Sequence, residues 1–285
     1  VGRGEVLGFL GPNGAGKSTT MKMLTGYLPI TSGKASICGF DVVGASIEAK
    51  KNIGYLPEGS PLYGDMSCLS FLNFVATIRG FRGAQKKDKV DLAIERLELE
   101  SVINKPIETL SKGFKRRAGL AQAILHDPEV LILDEPTDGL DPNQKHQVRN
   151  LIKDMATNKA IIISTHLLEE VSAVCSRAVI ISKGQIVFDG TPEEFAARSS
   201  FHNAVTIQLS SENVESVSNI LEEMSEVKRI ETENETGTVR VIPENGSVII
   251  EKVSLLVREN GLIVDEIYVE RGHLDEVFRD LTVAN

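Results

Sequence analysis

Hydrophobic positions follow two periods in the first two-thirds of the chain. Short continuous apolar runs occur at Val6–Leu10, Ile53–Leu56, 130–133, 161–163 and 179–181, with a briefer one at 35–38. Each is bounded by turn residues and reads as a buried strand. Between them lie stretches with helical spacing: 17–26 after a glycine loop, most of 66–125, 143–156 and 167–175. Residues 179–181 and 186–188 flank Lys183-Gly184, a hairpin signal. Continuous apolar strands alternating with helices imply an α/β layer whose sheet is mainly parallel and covered on both faces.

The texture changes after Arg198-Ser199-Ser200. Strand patterns at 205–209, 227–231, 239–242 and 262–269 alternate with helical ones at 214–224 and 248–260, and 274–281 forms a closing helix. The order β-α-β-β-α-β is that of a split βαβ domain. The expected division is therefore 1–200 and 201–285. No tandem repeat or low-complexity run interrupts either part.

Charge sharpens that division. The whole chain of 285 residues carries a formal charge of -9. Residues 201–285 hold 17 acidic and 7 basic side chains, against 23 and 24 in the first 200. An acidic tail is the wrong sign for gripping nucleic acid, so no nucleic-acid partner is expected. The longest stretches without Asp, Glu, Lys or Arg are 66–78 and 199–211, 13 residues each. A spanning helix needs about 20 apolar residues, so none is expected, and no signal peptide is visible. Cys38, Cys68 and Cys175 are odd in number and far apart, which suits neither a disulfide framework nor a zinc site.

The chemistry concentrates in a few motifs. Gly11-Pro12-Asn13-Gly14-Ala15-Gly16-Lys17-Ser18-Thr19 fits G-x-x-x-x-G-K-S/T between a strand and a helix. Glycines let backbone N–H groups curl around a phosphate at the positive end of a helix dipole. Lys17 is expected to reach the β and γ phosphates, and Ser18 to place its hydroxyl on Mg²⁺. Further on, an apolar run delivers Asp134-Glu135. In a nucleotide hydrolase Asp134 would hold Mg²⁺, and Glu135 would polarise the attacking water. Taken singly, other features have ordinary readings: a serine before a helix is usually an N-cap, and Asp-Pro usually starts a helix.

In its order of motifs the chain resembles the ATP-binding-cassette (ABC) ATPases, and most of all the motor subunits of bacterial exporters of the drug-export and gliding-motility type. The resemblance covers nearly the whole chain. Leu110-Ser111-Lys112-Gly113-Phe114 stands in the place of the signature LSGGQ, Gly139-Leu140-Asp141 follows as the D-loop, and His166 follows a strand as the switch histidine. Tyr55-Leu56-Pro57-Glu58 stands where the family has its Q-loop, and Gly272–Phe278 matches a common C-terminal ending.

The resemblance implies a P-loop NTPase domain with a helical subdomain, ATP and Mg²⁺ as cofactors, and ATP hydrolysis. It implies that Ser111 and Gly113 touch the γ-phosphate held by a second ABC subunit, that Asp141 links the two sites, and that His166 contacts the γ-phosphate. It also implies an integral membrane permease as partner, with this chain cytoplasmic on the inner face of the membrane.

Three departures stand out: Lys112 and Phe114 in the signature, Glu58 in place of glutamine, and a P-loop lysine that comes early. Glu58 is expected either to ligate Mg²⁺ or only to relay motion to the permease. N-terminal strands and an adenine-stacking residue are expected to be missing, so no adenine contact is assigned. Two other readings stay open: an ABC ATPase acting as a switch on ribosome or DNA, and a module that binds ATP without hydrolysing it.

Overall fold

A computed structural model describes residues 1–59 and 62–283. The chain divides into two compact units, Val1–Gly190 and Thr191–Asn285.

The first unit runs β1 (Val6–Leu10), α1 (Lys17–Leu24), β2 (Ser36–Ile37), β3 (Phe40–Asp41), α2 (Ser46–Lys51), β4 (Ile53–Leu56), α3 (Cys68–Ile78), α4 (Gly83–Arg96) and α5 (Lys112–Ile124). It continues with β5 (Val130–Asp134), α6 (Pro142–Ala156), β6 (Ala160–Thr165), α7 (Leu168–Val174), β7 (Arg177–Ser182) and β8 (Gln185–Gly190). The six-stranded sheet has the order β4-β5-β6-β1-β7-β8. Every pairing is parallel except the β7–β8 hairpin. Its turn, Lys183-Gly184, has positive φ at both residues, as a two-residue turn matched to strand twist requires.

The strands are continuously apolar because both faces are covered. Leu131, Leu133, Ile161 and Ile163 pack into one core with residues of α3, α4, α5 and α6. Ile132, Ile162, Leu7 and Phe9 pack into a second core with Met21 of α1 and Ile37 of β2. The helical subdomain read from 66–125 resolves into α3, α4 and α5 with short 3-10 turns between the last two. The run at 35–38 forms only a two-residue strand, hairpinned to β3. α2 has no counterpart in the hydrophobic pattern.

The second unit contains α8 (Pro192–Ala196), β9 (Val205–Gln208), α9 (Val214–Glu222), β10 (Val227–Glu233), β11 (Thr238–Pro243), α10 (Ile250–Glu259), β12 (Glu266–Val269) and α11 (Leu274–Val283). Its sheet, ordered β10-β11-β9-β12, is antiparallel throughout. β11 sits between β9 and β10, which is the split βαβ topology. Val217, Leu221 and Val253 of the helices close the core over Val205, Ile207, Val239 and Val241.

The unit begins ten residues before the change of texture near 200. Thr191 closes a capping box on α8 with Glu194, and Ser199 and Ser200 each donate to Glu276 of α11 at 2.7 Å. These contacts tie 191–200 forward, to the C-terminal helix.

Gly54 shows how tightly α5 is seated on the sheet. A Cβ there would lie 2.1 Å from the Ala123 carbonyl oxygen and 2.8 Å from the Pro128 ring. Neither the strand nor the helix backbone can give way cheaply. Gly54→Ala is therefore expected to lower unfolding free energy by about 1–3 kcal/mol, measured by urea denaturation.

Candidate nucleotide-binding site

The site starts from β1, whose five residues are all buried in mid-sheet. Its exit is crowded. A Cβ on Gly11 would sit 2.5 Å from the Ile181 carbonyl oxygen of β7, so the loop can leave the sheet here only as glycine. Gly16 then adopts φ 110 and starts α1 with no side-chain cap. The helix thus offers uncapped amides to the loop, the arrangement that favours an anion. Ala15 is buried in the core, while Asn13, Gly14 and Thr19 are exposed and Pro12 and Ser18 half-buried. Gly184 donates to the Ala15 carbonyl at 3.0 Å and pins the loop from outside. The Lys17 ammonium is turned back into the loop, only 7% exposed, and donates to Gly11 O at 2.7 Å and Pro12 O at 3.3 Å. Phosphate oxygens are stronger acceptors for it than these carbonyls.

The acidic half comes from β5. Asp134 is 0% exposed. Register places it beside Ser164 of β6, whose hydroxyl donates to Asp134 Oδ1. The other oxygen, Oδ2, is buried with no hydrogen-bond partner among the described residues. An orphaned buried carboxylate oxygen costs energy unless a cation or water meets it. Ser18 Oγ donates to Glu58 Oε2 at 3.3 Å. Ser18, Glu58 and Asp134 thus offer the hard oxygen donors that suit Mg²⁺.

Glu135 is held in an unusual backbone. Its φ is 50, a left-handed conformation rare outside glycine. Its amide donates to Ser164 O at 3.1 Å and to Ser164 Oγ at 3.2 Å. Its Oε1 lies 3.1 Å from His166 Nδ1. The structure thus pairs the two residues expected to act on water and γ-phosphate.

The remaining predicted residues form a second cluster. Ser111 Oγ accepts from Phe114 N at 3.3 Å and caps α5. Asp141 Oδ1 accepts from Gln144 N at 2.9 Å and caps α6. A Cβ on Gly113 would meet Gln144 Oε1 at 2.5 Å. Among the described residues the side chains of Ser111 and Asp141 bond to Phe114 and Gln144 and not to residues 11–19.

Four residues were not singled out from sequence: Ser164, Arg116, Gln144 and Glu170. Ser164 was legible as the polar end of an apolar strand. The other three depend on tertiary contact. Glu170 of α7 is buried and accepts from Thr137 Oγ1, joining α7 to the turn after β5. Burial pushes its carboxyl pKa up, against the opposing pull of a Thr165 hydrogen bond and of Arg149 and Lys145. Tyr55 on β4 is pushed up to about 12, first by burial and then by Asp134.

A groove of about 720 Å³ lies beside the Q-loop position, lined by Tyr27, Ile47, Tyr55, Tyr63, Phe74 and Ile78 among others. Tyr27, Ile47 and Ile78 are strongly exposed. His273 of the second unit pairs with Glu270 at 2.7 Å and stacks on Phe201. Among the described residues no His/Cys/Asp/Glu cluster of three or more forms a metal site.

A glycine loop around a buried lysine, with two acids closing a parallel strand one place further along the same sheet edge beyond β6, defines a P-loop nucleotide-binding domain. Comparison with known proteins narrows this. Residues 1–138 match the family model described as ABC transporter. The chain is 34% identical over 244 residues to the uncharacterized ABC transporter ATP-binding protein YxlF of Bacillus subtilis (strain 168), covering 86% of this chain and 79% of that one. It is 36% identical over 200 residues to the probable multidrug ABC transporter ATP-binding protein YbhF of Escherichia coli (strain K12), covering 70% of this chain and 34% of that one. The chain therefore spans about a third of YbhF's length. The solved structure of cbiO1 from Clostridium perfringens, part of the ABC transporter complex cbiONQ, matches with a TM-score of 0.62 at 30% identity, over 70% of this chain and 81% of that one. The chain belongs to the ABC transporter ATP-binding family.

Glu170 yields a pH prediction. A carboxyl whose pKa is raised by folding lends stability that is complete below its unfolded value and is lost as pH rises through the folded value. Glu170→Gln keeps an acceptor for Thr137 and removes the buried charge. The variant is expected to unfold at higher urea than wild type at pH 7.5, with the difference shrinking toward pH 4.5.

Proposed function

We propose that this chain binds ATP with Mg²⁺ and hydrolyses it, as the motor of an exporter whose membrane helices belong to a separate permease. The supporting observation is the meeting at one sheet edge of Lys17 in its loop, Asp134 with an orphaned oxygen, and Glu135 paired with His166. Ser18, Asp134 and Glu58 would hold Mg²⁺, which when bound neutralises phosphate charge. Lys17 exchanges its two carbonyl partners for phosphate oxygens. Glu135 takes the proton of the attacking water. His166 steadies the Glu135 carboxylate, in addition to any phosphate contact of its own.

The signature cluster completes the site from a second copy. Ser111 and Gly113 stand at the N-terminus of the 13-residue α5, a natural place for an anion. Head-to-tail pairing with twofold symmetry would bring that terminus to the partner's loop. The apolar groove beside Glu58 is the docking place for a cytoplasmic segment of the permease, which puts this chain on the inner face of the membrane. Among the described residues no helix is long and apolar enough to cross a membrane. The acidic second unit supports a protein partner over nucleic acid.

Two variants test the chemistry. Glu135→Gln is expected to keep ATP affinity within about threefold while phosphate release falls by ~10² or more, the usual weight of a general base. Lys17→Ala should instead lose ATP affinity in calorimetry. Wild-type turnover by the first, or wild-type affinity in the second, overturns the assignment. For the groove, Ile78→Asp should release a co-expressed permease in pull-down while basal ATPase activity stays unchanged. Retained permease would remove the groove from the reading.

A further inference from the structure

Arg116 lies on α5, four residues past the position 112 that opens the helix, and is 5% exposed. Its guanidinium bridges the two segments that leave the paired strands β4 and β5. Nη1 donates to Pro57 O at 3.2 Å, on the loop that carries Glu58. Nη2 donates to Asp134 O at 2.6 Å and also to Glu135 O. Of the latter two carbonyls, that of Asp134 ends β5 and that of Glu135 belongs to the residue with the left-handed backbone. A non-glycine residue persists in that conformation only where its surroundings hold it. Here Ser164 holds the Glu135 amide from one side and Arg116 holds its carbonyl from the other.

The charge setting fits this role. Burial pulls the Arg116 pKa down, while the carboxylates of Asp138, Asp134, Glu135 and Glu58 pull it up. A planar fork with several donors can reach carbonyls on two loops at once, and a lysine ammonium cannot do so from the same stem.

We infer that Arg116 is a positioning residue: one guanidinium couples the loop beside the apolar groove to the backbone that aims Glu135. This rests on the reading of Glu135 as the general base. Movement of Pro57 would be felt at Glu135 through two hydrogen bonds on one rigid group. The groove and the base then communicate inside a single chain, without passing through nucleotide.

The experiment compares Arg116→Met, which keeps much of the stem, with Arg116→Lys, which keeps the charge. Three quantities are read on the full chain: ATP affinity by calorimetry, the kcat and KM of phosphate release, and amide hydrogen exchange. Both variants are expected to bind ATP within about threefold of wild type and to lose at least tenfold in kcat. Exchange should rise together in peptides covering 54–59 and 134–140, with the α5 amides unchanged. Arg116→Lys failing to restore kcat separates the bridging fork from mere charge. A kcat within twofold of wild type in either variant overturns the coupling, as does a rise in exchange confined to α5. Should Arg116→Met not fold, Arg116→Lys alone decides by the same readouts. Loss of ATP binding in the wild-type chain would sink the ATPase reading itself, a separate outcome.

Discussion

Parallel register is the constraint from which the site follows. Leu10 pairs with Thr165, Asp134 with Ser164, and Leu56 with Leu133. Those pairings level the ends of β1, β4, β5 and β6 along one edge of the sheet. Everything chemical then emerges there: the glycine loop after Leu10, Glu58 after Leu56, Asp134-Glu135 at the end of β5, and His166 after Thr165. Ligands of open α/β sheets bind at this edge for the same reason. A slip of one residue between β5 and β6 would remove the serine from Asp134 and exchange the residues that β5 presents to the two cores.

The edge is also where the chain tolerates what its core does not. Lys17, Asp134, Arg116 and Glu170 are all buried there, in a protein whose other buried side chains are mostly apolar. Each has partners that offset desolvation: loop carbonyls for Lys17, Ser164 for Asp134, carbonyls of Pro57, Asp134 and Glu135 for Arg116, Thr137 for Glu170. Removing one partner of such a set costs more than the set contributes, because a buried charge is left behind. The left-handed Glu135 adds backbone strain at the same edge. Strain and buried charge gathered at one place mark the part of the fold shaped by function and not by stability alone.

Much of this was legible in the sequence because local chemistry dictated it. A lysine loop between a strand and a helix has few uses, and two acids closing an apolar strand have fewer once such a loop stands upstream. The split βαβ order of the second unit was readable from alternation alone. The unit boundary was not, since residues 191–200 are tied forward by Ser199 and Ser200 to Glu276, a contact 77 residues away for the first of them. α2 was missed because six residues carry too little periodicity to register. Arg116 was hidden for a related reason: on a helix rich in Lys and Arg it looks like a solvated side chain, and only the packing of α5 against β4 buries it.

At the signature position the structural reading of a side chain and the proposed functional one need not compete. Ser111 caps α5 by accepting from Phe114 N. A hydroxyl that accepts one hydrogen bond keeps its own proton to donate. The cap therefore leaves that proton available at the helix terminus. Asp141 likewise spends one carboxylate oxygen on Gln144 N and keeps another. A side chain at Gly113 would require the flexible end of Gln144 to move aside. The position before it has no such requirement: Lys112 is exposed, so a long side chain is accommodated where the family pattern has glycine. The departure at 112 is thus compatible with the same helix terminus. On the proposed reading, the groups the terminus offers to a nucleotide are the Ser111 hydroxyl and the backbone amides that begin α5.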